Sequence, residues 1–378
     1  MSADKKISCV VAAWLLAAAM ASFAEAAPVD DKVTPWPTDE GIPVNQWYMR
    51  TTDADGTKLR HYIAEYGAAT KPENTVIVLH GGWGAEHSYL VPAIRPLADR
   101  YRFVLYDQRG SLRTPADSED ISFAALVEDL DQLRQRLGLE KVTLMAHSMG
   151  NHLAYGYLRA HPDRVAGLVL VGAVTPDRFG VDEPVFLHDV WPSFSQADLK
   201  VIAARRSKWE ADFNERALRI MVAEGLIPAD WAKEHPPGTD PDFKSIYKWT
   251  DQQTTMAWRI QFTAVNTYDS RNWRQMAGGQ VFYNEEVAGG VLNDPKFDEA
   301  VAGFWPALKA FKGPARVIIG TDDYVDLGPT YWPLLIKAMA DARLDTIRNA
   351  GHSSWMDQPE AFTHALRTAL ADTTGRDK

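Results

Sequence analysis

Ala146-His147-Ser148-Met149-Gly150 follows directly on the apolar run Val142-Thr143-Leu144-Met145. The stretch reads as a β-strand that turns sharply onto a helix, with a serine at the turn. Such a turn is strained and its helix packs close to the strand, so the residues two places either side of the serine must be small. Ala146 and Gly150 meet that requirement. The pattern predicts a nucleophile elbow, which presents a serine hydroxyl at the edge of a sheet.

Upstream, Thr75-Val76-Ile77-Val78-Leu79 is a continuous apolar run of the kind found in buried parallel strands. It ends in His80-Gly81-Gly82-Trp83-Gly84, a glycine-rich turn able to offer backbone N–H groups to a developing oxyanion. The expected donors are the N–H of Gly82 or Trp83 and the N–H of Met149, the residue after the serine. Downstream, Ala315-Arg316-Val317-Ile318-Ile319-Gly320 is another buried run, followed by Thr321-Asp322-Asp323. A last strand over Leu344–Ile347 leads to Ala350-Gly351-His352. The order along the chain is therefore Ser148, an acid, then His352. In that arrangement the histidine takes the serine proton and the acid holds the imidazole in the right tautomer. Asp322, Asp323 and Asp326 share the acid loop. Asp323, three residues past Gly320, is placed to reach back to the histidine loop, with Asp322 as the alternative.

Composition bounds the rest. The 378 residues are 46% hydrophobic and 24% charged, which fits a soluble chain with a sizeable core. A formal net charge of -10 argues against a nucleic-acid-binding surface. No C-x-x-C pair, H-E-x-x-H, Walker A or G-x-G-x-x-G pattern occurs, so neither a metal nor a nucleotide cofactor is implied. Lys5 and Lys6, an apolar segment from Cys9 to Ala21 and then Ala24-Glu25-Ala26 match the three parts of a secretory signal, with cleavage expected after Ala26. A periplasmic or secreted protein without stable membrane association follows, with an uncleaved anchor as the other reading. Cys9 is the single cysteine, so a mature chain would hold no disulfide.

The alternation of strands and helices from Gln46 to Val174 predicts a mostly parallel sheet flanked by helices. It opens with a hairpin over Gln46–Tyr66 and includes an amphipathic helix marked by Phe123, Leu126, Val127, Leu130, Leu133 and Leu137. From Pro176 the pattern turns helical and carries Trp191, Trp209, Trp231, Trp249, Trp258 and Trp273; alternation resumes at Arg316. This divides the chain into a leader (1–26), the first part of a catalytic core (27–175), a helical lid inserted after the sixth strand (176–300) and the second part of the core (301–378). Most of the tryptophans are expected to form the lid's own core, and one or two, Trp258 among them, to line the substrate pocket.

His80-Gly81-Gly82-Trp83-Gly84, Asp107-Gln108-Arg109-Gly110-Ser111-Leu112-Arg113-Thr114, the serine elbow, and Ala350-Gly351-His352-Ser353 leading into Gln358-Pro359-Glu360-Ala361-Phe362 together resemble the α/β-hydrolase superfamily. More narrowly, they resemble its proline iminopeptidase family. The resemblance implies an α/β-hydrolase fold, a Ser148-Asp323-His352 triad with an acyl-enzyme, no cofactor, and release of N-terminal residues, proline preferred, from short peptides. It implies that Arg109 buttresses loops around the site. Two positions depart from the family pattern. Trp83 stands where the family has proline, and the lid acids that receive a peptide's free amino group are replaced by Arg259, after Trp258, and by Gly279. Glu285 and Glu286 lie near the second of these positions and are the candidates to substitute for it. A carboxylester or lactone hydrolase is the alternative within the fold. A non-catalytic binding protein is the alternative outside it, and the intact triad argues against that reading.

Overall fold

The computed structural model describes residues 31–32, 44–53, 56–67, 69, 71–177, 200, 204, 215–234, 242–276, 284–326 and 328–374. The expected leader, Trp191, Trp209 and Gly279 lie outside them, as does the side chain of Glu285.

The described residues form a nine-stranded sheet: β1 (Asp31–Lys32), β2 (Val44–Thr52), β3 (Lys58–Tyr66), β4 (Thr75–Leu79), β5 (Arg102–Tyr106), β6 (Val142–His147), β7 (Val165–Val171), β8 (Ala315–Gly320) and β9 (Ala342–Ile347). Their spatial order is β1-β2-β3-β5-β4-β6-β7-β8-β9. The β2–β3 hairpin joins β5 antiparallel, and every pair from β5–β4 to β8–β9 is parallel. The short β1 pairs with β2. It moves the helical insertion to a place after the seventh strand of the sheet, where the sequence pattern points to the sixth, because a two-residue strand carries no periodic signal.

Side chains on β4 alternate between two cores. Ile77 and Leu79 pack on the face covered by α1 (Phe123–Arg136) and α2 (Gly150–Ala160). Val76 and Val78 pack on the opposite face. Burial on both sides is why this strand reads as an unbroken apolar run rather than an alternating one. Helix α1 begins where the Ser122 hydroxyl accepts the Ala125 N–H at 3.2 Å. It buries Phe123, Leu126, Val127, Leu130 and Leu133, the face marked by their spacing. The helix expected over residues 88–99 is instead three short turns (His87–Leu90, Val91–Ile94 and Arg95–Leu97), since Pro92 and Pro96 remove the N–H groups a continuous helix needs.

Between β7 and β8 the described residues include α3 (Asp251–Asn266), α4 (Glu285–Leu292), α5 (Pro295–Val301) and α6 (Phe304–Ala310). Two kinds of packing meet here. Ala217, Met221, Leu226, Ile227, Ala257, Ile260, Ala264 and Trp273 make a separate apolar cluster, with Trp231 and Trp249 against it. By contrast Val287, Val291, Phe297, Phe304 and Trp305 belong to the core under the sheet. Packing therefore passes from insertion to sheet at α4, ahead of residue 300. The chain closes with α7 (Gly328–Leu335) and α8 (Pro359–Thr374), whose Phe362, Leu366 and Leu370 cover the second face. No helix among the described residues is long and apolar enough to cross a membrane.

Candidate active site

The parallel strands bring four loops to one edge of the sheet, the edge where open α/β sheets hold their ligands. Strand β4 ends at Leu79 before His80-Gly81-Gly82, β6 ends at His147 before Ser148, β8 ends at Gly320 before Asp323, and β9 ends at Ile347 before His352.

Ser148 is buried and sits at a φ of 55°, one of few non-glycine residues in that region. A left-handed serine costs on the order of 1–3 kcal/mol, so its neighbours must hold it there. They do so through its backbone. The Ser148 N–H donates to the Val171 carbonyl at 3.2 Å, and the Ser148 carbonyl accepts from the Asn151 N–H at 2.9 Å and the Asn151 side-chain amide at 2.7 Å. The small residues are needed for close approach. A Cβ on Gly150 would lie 2.6 Å from the Leu79 carbonyl oxygen, and one on Gly81 would lie 2.6 Å from Ser148 Cβ. Gly81→Ala is accordingly expected to displace the serine and cut kcat roughly a hundredfold, the scale set by a misplacement of about 1 Å. Steady-state kinetics on an aryl ester, with thermal melting to confirm folding, would check this.

His352 is buried, and its Nδ1 lies 2.8 Å from Asp323 Oδ2. The other oxygen of Asp323 accepts the Val325 N–H at 3.1 Å. With Nδ1–H directed at the carboxylate, Nε2 is left as the basic nitrogen, and it has no hydrogen-bond partner among the described residues. Asp322 faces elsewhere: its carboxylate accepts the Thr321 hydroxyl at 2.7 Å and its N–H donates to the Ala350 carbonyl. Asp326 Oδ2 is taken by Thr175, whose N–H and hydroxyl it accepts at 2.5 and 2.7 Å; burial pushes the Asp326 carboxyl up to about 6, and the nearby His352 opposes that rise.

A cavity of about 400 Å³ opens beside Ser148. Gly82, Trp83 and Met149, the expected oxyanion-hole residues, all line it. Trp258, Phe262 and Val265 form its far wall with Leu292. Trp258 was expected there from sequence. Phe262 and Val265 were missed, although a spacing of four and seven from Trp258 puts all three on one face of α3. Trp258 and Phe262 stack with ring centroids 5.1 Å apart. Trp83 packs edge-on against Phe123 and Phe297, so the departure from proline adds an aromatic floor. Glu286 does not line this cavity: it is exposed and accepts the Ser118 hydroxyl at 3.0 Å. No lining residue among those described is a carboxylate.

The loops around the site are tied together by buried polar groups. His80 Nε2 accepts the Gln108 N–H at 3.0 Å, and the Gln108 side-chain amide donates to the His80 carbonyl at 2.9 Å. Arg109 forks onto Asp129 at 2.9 and 2.8 Å and onto Asp53 at 2.6 and 3.0 Å, which accounts for its burial and leaves it directed away from the cavity. Glu86, His87 and Asp107 converge closely enough to suggest a metal. Arg113 donates to Glu86 at 3.0 Å and lies 3.6 Å from Asp107, so a guanidinium already supplies the positive charge. The cluster reads as an ion-pair network.

Sequence comparison bears on this geometry. The family model for the alpha/beta hydrolase fold matches residues 74–359, a span containing all four loops. A probable proline iminopeptidase of Streptomyces coelicolor is 40% identical over 321 residues, covering 76% of this chain and 85% of that protein. A putative carbamate hydrolase RutD of Caulobacter sp. (strain K31) is 35% identical over 133 residues, but the match covers only 34% of this chain and 47% of that protein. Other curated relatives, including a Neisseria gonorrhoeae proline iminopeptidase, are likewise matched over less than half their length. A proline iminopeptidase-related protein from Thermus thermophilus superposes with a TM-score of 0.55 over 88% of this chain and 99% of its own, at 23% identity, and so speaks to the fold. The serine elbow, the His-Gly-Gly turn and the Gly-His loop thus sit on a shared scaffold, and the chain belongs to the proline iminopeptidase-like family of α/β-hydrolases.

Proposed function

We propose that the protein is a serine hydrolase working through an acyl-enzyme. The observation that carries this reading is the His352–Asp323 pair, 2.8 Å apart, on loops beside a serine held in a strained elbow. In the first half-reaction Ser148 Oγ bonds to the substrate carbonyl carbon while His352 Nε2 takes the hydroxyl proton. The oxyanion rests on the N–H groups of Met149 and of Gly82 or Trp83. Collapse of the tetrahedral intermediate expels the amine or alcohol, which receives the proton from His352. Water, deprotonated by the same nitrogen, then releases the acid and restores the serine hydroxyl. Covalent labelling by a fluorophosphonate, lost in Ser148→Ala, tests the reading.

For the substrate, the relatives support removal of N-terminal residues, proline preferred, from short peptides. The cavity wall formed by the described residues is apolar, which supports a second reading, a carboxylester or lactone hydrolase, whose uncharged substrate needs no ion partner there. Turnover of a prolyl arylamide against a short-chain aryl ester separates the two. Neutralising Glu286 is expected to leave both activities within about twofold, as an exposed charge of this kind contributes little. Glu285→Gln is the sharper probe. If Glu285 anchors the amine, kcat/KM on the arylamide falls roughly ten- to a hundredfold, the loss of one charge-assisted hydrogen bond, while the ester is untouched.

The leader reading places the enzyme outside the cytoplasm, in the periplasm or secreted. Mass spectrometry of protein from its native host is expected to find a mature terminus near Ala27, with Ala24 and Ala26 as the small residues read by the signal peptidase. An intact terminus in membrane fractions would favour the anchor.

A further inference from the structure

Two buried polar side chains near the site have no part in the chemistry above. Tyr89 lies in the short helical turn after the His-Gly-Gly loop, and His147 directly precedes the nucleophile. Both are buried, and both line the cavity. We propose that Tyr89 and His147 are positioning residues, forming a hydrogen-bonded strut that sets the oxyanion loop, the serine elbow and the histidine loop in register. The proposal rests on the serine-hydrolase reading.

The direction of each bond follows from its neighbours. The Gly81 N–H donates to the Tyr89 hydroxyl at 2.6 Å, so the hydroxyl hydrogen is free to go to His147 Nδ1, 2.8 Å away. Burial and the adjacent His352 ring push the His147 imidazole well below its usual value, which keeps it neutral. A neutral ring that accepts at Nδ1 carries its proton on Nε2. That N–H faces the His352 backbone carbonyl at 3.3 Å. The strut therefore runs from Gly81, whose Cα sits against Ser148, through the residue before the serine, to the backbone of the base itself. Trp355 packs edge-on to His147 at 4.8 Å and against Tyr89 at 6.2 Å, closing the strut off from the side.

Packing alone would not call for this arrangement, since burying a hydroxyl and an imidazole costs free energy unless each is partnered. Here the first bond ties the His-Gly-Gly turn to the helical turn that follows it, and the other two join segments 58 and 205 residues apart in the chain. Each segment carries one part of the proposed machinery: oxyanion donor, nucleophile or base. The alternative is that the strut only stabilises the fold.

The second-order reaction of purified protein with a fluorophosphonate probe distinguishes these roles without knowledge of the natural substrate. Tyr89→Phe keeps the ring and deletes one hydroxyl; His147→Ala removes the centre of the strut; His147→Gln restores an amide N–H toward the His352 carbonyl. At a temperature where circular dichroism shows all three folded, Tyr89→Phe and His147→Ala are expected to lower the maximal labelling rate roughly tenfold, with the probe's KI within about threefold of wild type. His147→Gln is expected to recover most of the rate, and the Tyr89→Phe/His147→Ala double variant to be no slower than the slower single. Rates within about twofold of wild type for both Tyr89→Phe and His147→Ala, whatever happens to Tm, would overturn the strut. Persistent labelling of Ser148→Ala would instead overturn the hydrolase reading beneath it.

Discussion

Replacing Ser148 with alanine is expected to lower kcat by on the order of a millionfold, the loss seen when a triad nucleophile is removed. The fold should survive. Alanine keeps the Cβ that Gly81 packs against, and the backbone bonds to Val171 and Asn151 that hold the elbow do not involve the side chain. Alanine is no worse than serine at a φ of 55°, so the strained turn costs the same in both proteins. His352→Ala should match the loss in rate but not in stability, since it leaves the buried carboxylate of Asp323 without its partner. In the proposed mechanism the two residues act as one unit, so the double variant should be little slower than either single. Hydrolysis of an aryl ester by each purified variant, with circular dichroism and thermal melting alongside, measures both effects. Near-normal turnover by Ser148→Ala would remove the serine from the mechanism.

Parts of this site were legible because they depend on short-range rules. The elbow needs small residues at fixed offsets from the serine, and a strand buried on both faces must be apolar throughout. Ala146-His147-Ser148-Met149-Gly150 and Thr75–Leu79 show both patterns, and the structure has a strand, turn and helix at the first and a central strand at the second. Asp323 could be singled out from Asp322 only by counting from Gly320, and the structure turns it, not its neighbour, toward His352. Features set by long-range contact were not legible. Two prolines were enough to break the helix expected over residues 88–99. Phe262 and Val265 carried a usable helical spacing, yet nothing local says which face of α3 looks onto Ser148. Glu286 is singled out in the sequence only by its nearness along the chain to Gly279. In space it belongs to the start of α4, where Ser118 meets it at the surface. Tyr89 and His147 gave least warning, because a buried tyrosine and histidine look the same in sequence whether they fill a core or join loops.

The same dependence on neighbours makes Asp323→Asn a stringent test. In the native loop Oδ1 accepts the Val325 N–H at 3.1 Å while Oδ2 faces His352 Nδ1 at 2.8 Å. An asparagine here has one acceptor and one donor group to distribute between those two sites. The Val325 N–H can only be met by the amide oxygen, so the amide nitrogen is left facing Nδ1. A donor at that position forces Nδ1 to accept and moves the imidazole proton to Nε2, the nitrogen proposed to receive the serine proton. The variant is therefore expected to lose on the order of a thousand- to ten-thousandfold in kcat while folding normally. Asp322→Asn changes a carboxylate that accepts the neighbouring Thr321 hydroxyl, and an amide oxygen does that equally well. Its kcat should fall by about threefold or less, the rate equivalent of an ordinary peripheral substitution. Steady-state kinetics of both variants on one aryl ester decides the matter. A reversed order would make Asp322 the acid and would require the loop after β8 to turn by one residue in solution, exchanging the Val325 and Thr321 contacts that now fix it.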